Sequence, residues 1–245
     1  MAPDAELQQQ ERRRTVTLPA DTRILPDPAA LAAEASWQIS EAARAAIRER
    51  QVFRLVLAGG KTPQRTYQLL ATTAQNWAAW EIFWSDERCQ PTGSAAQNSV
   101  MAQQLWLDHV AIPPANIHPI PVELGMARAV AAYAAIVQEK QPFDLLLQGM
   151  GEDGHTASLF PGPLDETALV VAIHDAPKPP TERISLGLLS LRACRQQLVL
   201  ITGTGKAQAL AAWGRNTDLP ISRCVRRDAC LLVDESLRRA TISDA

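Results

Sequence analysis

Cysteine and histidine are both scarce in this chain of 245 residues, at four each. Cys89, Cys194, Cys224 and Cys230 contain no CxxC pair and follow no secretory signal. They read as reduced thiols of a cytoplasmic protein, with neither a disulfide framework nor a zinc ribbon. His109, His118 and His174 stand in no ligand spacing with His155, so no metal centre is expected. Apolar runs are short, and none approaches the ~18 residues of a membrane span. An excess of one charge is missing too. With 24 basic against 26 acidic residues the formal charge is −2, which gives no reason to expect nucleic acid or a membrane surface as partner. An anionic ligand would have to be met by a local cluster.

What is present is an alternation of strand and helix signals. The polar start, Met1 to Arg14, lacks the apolar segment of a signal peptide and reads as a disordered tail. Residues 15–245 read as a single α/β domain, since no linker interrupts the pattern. Thr15–Leu18 and Arg23–Leu25 suggest edge strands. Asp27-Pro28 supplies an N-cap acceptor followed by proline at the first helical position, and opens a long helix over 29–50. Strands are expected at 53–57, 81–84, 116–120, 145–147, 168–173, 197–201 and 229–233. Helices are expected at 63–71, 98–110, 123–140 and 206–214, and 184–191 reads as a strand turning into a short helix. Apolar strands alternating with helices predict a mostly parallel sheet, Rossmann-like, with helices on both faces. No internal repeat is visible. Trp77, Trp80, Trp84, Trp106 and Trp213 read as core residues.

The stretch that organises the chain runs from Asp144 to Gly162. The apolar run Leu145–Leu147 breaks into Gly149, Gly151 and Gly154, and His155 follows at once. In an open α/β sheet, ligands bind outside the carboxyl ends of the strands, and glycines there allow positive φ or close approach. A second strand leads into Ala58-Gly59-Gly60-Lys61-Thr62-Pro63. Thr62 and Pro63 read as a cap and first-turn pair, so this turn and helix start form an anion site by construction. It has neither the Walker spacing nor the dinucleotide fingerprint. Elsewhere, Asp86, Glu87 and Arg88 follow a strand, Lys178 and Arg183 lie in a proline-rich loop, and Lys206 follows Gly203 and Gly205. Cations and an anion-binding turn around one imidazole suggest a phosphorylated small molecule, with His155 doing acid–base work at its other end. No serine stands in a GxSxG elbow. The stretch from Asp144 repeats the pattern of strand, glycine turn and helix, and Ser158, three residues after His155, reads as its helix-turn neighbour and not as a catalytic partner.

The block from Gly149 to Gly162 resembles the signature of the 6-phosphogluconolactonases. Ala58–Pro63, Ser85–Arg88 and Pro177–Arg183 are similar to that family's other blocks, in the same order. The resemblance implies a fold shared with glucosamine-6-phosphate deaminase and ribose-5-phosphate isomerase. It implies hydrolysis of 6-phospho-D-glucono-1,5-lactone to 6-phospho-D-gluconate in the oxidative pentose phosphate pathway, without cofactor or metal. Carried over, His155 is general base for water, and Asp86 and Arg88 join it as catalytic residues. Asp86 orients either Arg88 or the water. Substrate or phosphate contacts are expected from Gly59, Gly60, Lys61, Thr62, Arg88, Gly151, Asp153, Lys178, Arg183 and Lys206. Lys61 stands where the family often has a small hydroxyl, and extension into solvent is the favoured reading for it. Asp153 fixes either the turn or the His155 tautomer, the turn being favoured. Cys89 reads as a buried spectator in preference to a reactive thiol. The expected partner is the phosphorylated sugar lactone alone, and the expected state a monomer or weak homodimer.

The rival is the deaminase/isomerase, which after Gly-His continues Ile-Ala-Phe-Asn-Glu-Pro, its Glu serving ring opening. Here the chain reads Thr156-Ala157-Ser158-Leu159-Phe160-Pro161 and carries no such Glu. A non-catalytic sugar-phosphate sensor would need an attached helix-turn-helix domain, and the segment before Thr15 is too short for one.

Overall fold

The computed structural model describes residues 18–215 and 217–237; the expected tail over 1–14 and most of the expected strand at Thr15–Leu18 lie outside them. In chain order the elements are β1 (Asp21–Leu25), α1 (Pro28–Arg50), β2 (Phe53–Leu57), α2 (Lys61–Leu70), β3 (Trp80–Trp84), β4 (Asp86–Arg88) and α3 (Asn98–Leu105). After these come β5 (Ile117–His118), α4 (Met126–Lys140), β6 (Phe143–Gln148), β7 (Val170–Ile173), β8 (Arg183–Leu186) and α5 (Leu188–Arg192). The last are β9 (Cys194–Ile201), α6 (Ala207–Gly214), α7 (Pro220–Cys224) and β10 (Cys230–Asp234).

Seven strands form one sheet in the order β1-β10-β9-β6-β2-β3-β5, and every pairing in it is parallel. Side chains alternate faces along a strand, and β9 makes this visible. Leu198 and Leu200 join the larger core with α1 residues Leu31, Ala35 and Ile39. Val199 and Ile201 join a second core with Leu210 and Trp213 of α6 and Ile221 of α7. Helices therefore cover both faces, and every residue of the central strand β6 is buried. Asp27 caps α1 as expected, accepting from the backbone N–H of Ala29 and Ala30 at 2.8 Å. Four of the five tryptophans read as core, Trp80, Trp84, Trp106 and Trp213, are fully buried; Trp77 packs beside Trp80 and Trp106.

Three features depart from the sequence reading. First, α2 begins at Lys61, with Gly60 (φ 97°) as its N-cap. Thr62 and Pro63 thus lie inside the helix, because the positive φ of glycine turns the chain two residues earlier than a Thr cap would. Second, Asp86–Arg88 is a strand. It pairs antiparallel with β8, which pairs antiparallel with β7, in a separate three-stranded sheet. Third, no helix follows His155. Residues 149–169 cross irregularly from β6 to β7, closing a tight turn between Thr156 and Leu159 on the way.

Candidate active site

From β2 the sheet grows outward through β3 and β5, and from β6 it grows the other way through β9, β10 and β1. The order reverses between β2 and β6, the crevice where an open α/β sheet takes its ligand. Two buried tyrosines hold the strand ends that border it. Tyr67 on α2 accepts from the N–H of Ala58 at 3.1 Å and donates to its carbonyl at 2.8 Å. Tyr133 on α4 does the same for Trp84, at 2.9 and 2.8 Å. Each hydroxyl satisfies a peptide that has run off the end of the sheet, and burial pushes both phenols well above their ordinary pKa.

Past Ala58, a Cβ on Gly59 would lie 2.2 Å from Asn98 Oδ1, so only glycine lets α3 approach this closely. Thr62 Oγ1 then meets Thr202 Oγ1 at 2.8 Å, joining the turn after β2 to the turn after β9. The N-terminus of α2 faces the crevice from one side, with its helix dipole favouring an anion there.

His155 hangs from the turn after β6. Its carbonyl accepts from the N–H of Gly151 at 2.8 Å, and Gly154 (φ 81°) turns the chain beneath it. The carbonyl of Gly154 accepts from the N–H of Ile221 at 3.0 Å, so α7, a helix the sequence did not announce, buttresses the turn. Asp153 Oδ1 accepts from the backbone N–H of His155 at 3.2 Å and faces ring Nδ1 at 2.5 Å. Asp153 therefore fixes both turn and ring, the shorter contact being to the ring. Burial alone would raise its pKa, but the hydrogen bonds and charge of His155 outweigh burial and hold the carboxyl below its ordinary value. An acceptor-only carboxylate beside Nδ1 assigns the proton of neutral imidazole to that atom, leaving Nε2 with the lone pair. Phe160 packs on the ring with centroids 4.8 Å apart.

The second sheet supplies the charges. In β4 Asp86 and Glu87 are buried and Arg88 is half-buried. Glu87 accepts from the N–H of Asn98 at 2.7 Å and of Ser99 at 2.8 Å, and thus seats on the first turn of α3. Burial raises its pKa, opposed by those hydrogen bonds. Asp86 accepts from Ser158 Oγ at 2.6 Å and from Asn98 Nδ2 at 3.1 Å. Arg88 donates instead to the carbonyl of Ala96 at 2.7 Å, so Asp86 does not orient it through a hydrogen bond. Across the ladder Arg88 pairs in register with Arg183. The Arg183 guanidinium lies 5.5 Å from the Phe160 ring centroid and donates to the carbonyls of Pro180 and Lys178 at 2.9 and 2.7 Å. Burial lowers its pKa, Arg88 lowers it further, and Asp86 opposes both. Two like charges on adjacent strands are unfavourable alone, and an anion between them would relieve that repulsion.

These groups line one cleft of about 160 Å³. Of the expected site residues, Gly59, Gly60, Lys61, Thr62, Asp86, Arg88, Gly151, His155, Arg183 and Lys206 border it. Lys61 stands at the cleft rim, where solvent alone was favoured. Lys206 donates to the carbonyl of Met150; burial lowers its pKa, with Glu152 the strongest influence against. Asp153 stands behind His155. Lys178 is the departure: its ammonium is exposed and paired with Glu152 at 3.2 Å, because the proline loop points that side chain outward while its carbonyl holds Arg183. Ser85, Thr156 and Thr202 also line the cleft, and Ser158 lies directly behind Asp86. Among the described residues no three His, Cys, Asp or Glu side chains gather as a metal set would.

Comparison with known proteins gives this geometry its relatives. The family model described as glucosamine-6-phosphate isomerases/6-phosphogluconolactonase matches residues 26–233. A 6-phosphogluconolactonase of Mycobacterium leprae is 33% identical over 210 residues, covering 79% of this chain and 85% of its own. The crystal structure of a 6-phosphogluconolactonase from Thermotoga maritima superposes with a TM-score of 0.81 at 27% identity, covering 87% of this chain and 98% of that one. A monomeric glucosamine-6-phosphate deaminase superposes at 0.80 with 18% identity, covering 90% and 99%; at that identity the likeness is one of fold.

Proposed function

This chain belongs to the family of glucosamine-6-phosphate isomerases and 6-phosphogluconolactonases, and from that premise we propose how its cleft works. The activity is that of a lactone hydrolase: 6-phospho-D-glucono-1,5-lactone is opened to 6-phospho-D-gluconate, a step of the oxidative pentose phosphate pathway.

His155 Nε2 takes a proton from water as the water oxygen attacks the lactone carbonyl. The Nδ1–H keeps donating to Asp153, whose carboxylate stabilises the imidazolium that forms. The carbonyl oxygen becomes an oxyanion in a cleft ringed by cations, where preorganised charge lowers the barrier. When the tetrahedral intermediate collapses, the C–O bond to the ring oxygen breaks and the imidazolium returns its proton to that oxygen. Arg88, Arg183, Lys206, Thr62 and the Gly59–Gly60 turn hold the phosphate or the developing oxyanion by charge-assisted hydrogen bonds. Lys178 reaches the ligand only by leaving Glu152.

The observation that carries this reading is the His155–Asp153 contact of 2.5 Å in a cleft whose other charged side chains are mostly cationic. A phosphorylated substrate, which does not cross a bilayer, and four unpaired cysteines support a cytoplasmic location. The testing experiment is a rapid assay on freshly made lactone beside one on glucosamine 6-phosphate, with spontaneous lactone hydrolysis subtracted. Turnover of the lactone alone is expected. Release of ammonia from the amino sugar, with no lactone turnover, would overturn the reading in favour of the deaminase.

A further inference from the structure

Ser158 is completely buried, yet its hydroxyl does not turn back to a local carbonyl. It reaches across to Asp86 Oδ2 at 2.6 Å. The chain goes to some length to make this contact. Thr156 and Leu159 exchange backbone hydrogen bonds at 3.3 and 2.9 Å, closing a tight turn that leaves Ala157 at φ 48°. That is a strained conformation for a residue with a side chain, and strain of this kind persists where the surroundings enforce it. The turn delivers Ser158 to the second sheet twice, since its N–H also donates to Ser185 Oγ at 3.2 Å. Ser185 is the register partner of Asp86.

Asp86 is in turn the only carboxylate among the described residues that line the cleft. The lysines and arginines beside it can only donate. A sugar lactone presents ring hydroxyls whose hydrogens need acceptors, and the free nitrogen of His155 is committed to water. A carboxylate offers about four acceptor sites. Ser158 and Asn98 Nδ2 occupy two of them, and Ser85 Oγ stands at the 3.5 Å limit of a third, so capacity remains on the cleft side.

We propose that Ser158 is a positioning residue: it locks the Asp86 carboxylate in one orientation, in which Asp86 accepts a hydrogen bond from a ring hydroxyl of the lactone and thereby sets specificity for hydroxylated substrates. The inference rests on the lactonase reading above and deepens it. A site built to bond a hydroxyl rejects the analogue lacking it far more strongly than an apolar pocket discriminates by size.

The experiment has two arms, each with wild-type lactone turnover as its control. An inactive wild type would sink the lactonase reading and this inference with it, whereas the outcomes below, read on an active wild type, bear on this inference alone. In the first arm, Ser158→Ala, Asp86→Asn and the double variant are assayed on 6-phosphogluconolactone, with thermal melts to verify folding. Ser158→Ala is expected to lower kcat/KM by about tenfold, the scale of a lost hydrogen bond to a charged group. In the Asp86→Asn background the same change is expected to do almost nothing. Equal factors in both backgrounds, or a folded Ser158→Ala with wild-type kcat/KM, would overturn the proposal. The second arm does not depend on Ser158 variants folding. Wild type and Asp86→Asn are compared on 6-phosphorylated 1,5-lactones lacking one ring hydroxyl at a time. The wild-type preference for the full substrate over one of these analogues should collapse in Asp86→Asn. If every preference survives, Asp86 does not read a hydroxyl.

Discussion

A Cβ on Gly151 would stand 1.9 Å from Nδ1 of His155 and 2.6 Å from Oδ1 of Asp153. The imidazole and the carboxylate that orients it therefore share space that only glycine leaves open. Gly151→Ala should displace the ring while leaving the sheet intact. A misplacement of about 1 Å at a reacting group can cost 10²-fold, and a fall of that order in kcat is expected, with melting close to wild type. Steady-state kinetics on fresh lactone checks this. Undiminished kcat would mean that the ring does not work from this position.

Arg88 and Arg183 face each other across a ladder, two cations in register at the cleft. Inorganic phosphate should bind there and raise the melting temperature by several degrees at saturation, since a ligand at 100 times its Kd contributes ~2.7 kcal/mol. Arg88→Ala should lose most of that shift and raise KM for the lactone more than it lowers kcat. An equal phosphate shift in the variant would move the anion site elsewhere.

Tyr133→Phe removes one oxygen and leaves the buried N–H and C=O of Trp84 without it. Unmet buried polar groups cost about 1–3 kcal/mol, so denaturant unfolding should show a loss on that scale. Because Ser85 and Asp86 follow Trp84 directly, kcat/KM should fall as well. An unchanged unfolding midpoint would show that water replaces the hydroxyl at no cost.

Cys89 neighbours Arg88, but burial, then the charges of Glu182 and Glu87, push its thiol up to about 11. At pH 8 its thiolate should be on the order of 10⁻³ of the population, and the thiolate is the reacting form. Iodoacetamide should therefore label Cys89 slowly at pH 8 and about tenfold faster per pH unit up to pH 10, read by mass spectrometry of the native protein. Fast labelling at pH 8 would contradict the burial argument.

The parallel sheet was legible because its strands are apolar runs, and the start of α1 because Asp27-Pro28 carries its own cap. The glycine turn and His155 were legible as a motif. The strand Asp86–Arg88 was not, since three charges in a row match no apolar period. The burial of Glu87 is made possible by donors from Asn98 and Ser99, which only the packing of α3 brings to it. In sequence Ser158 reads as a helix neighbour of His155. Only the Ala157 turn, which no pattern of residue types announces, sends it to Asp86. Tyr67 and Tyr133 look like core aromatics in sequence, and their hydroxyl contacts exist only once α2 and α4 are packed. Lys178 belongs to the same blocks as Arg183, but the direction of a loop side chain is set by packing and not by proximity in sequence.

All of the proposed chemistry passes through one nitrogen of His155. The direct measurement is kcat and KM of His155→Ala on freshly generated 6-phosphogluconolactone, with uncatalysed hydrolysis subtracted and folding verified by melting. A loss of kcat of about 10²-fold or more is predicted, the scale of general acid–base catalysis, with KM nearly unchanged because the phosphate contacts remain. A folded variant turning over at the wild-type rate would contradict the account.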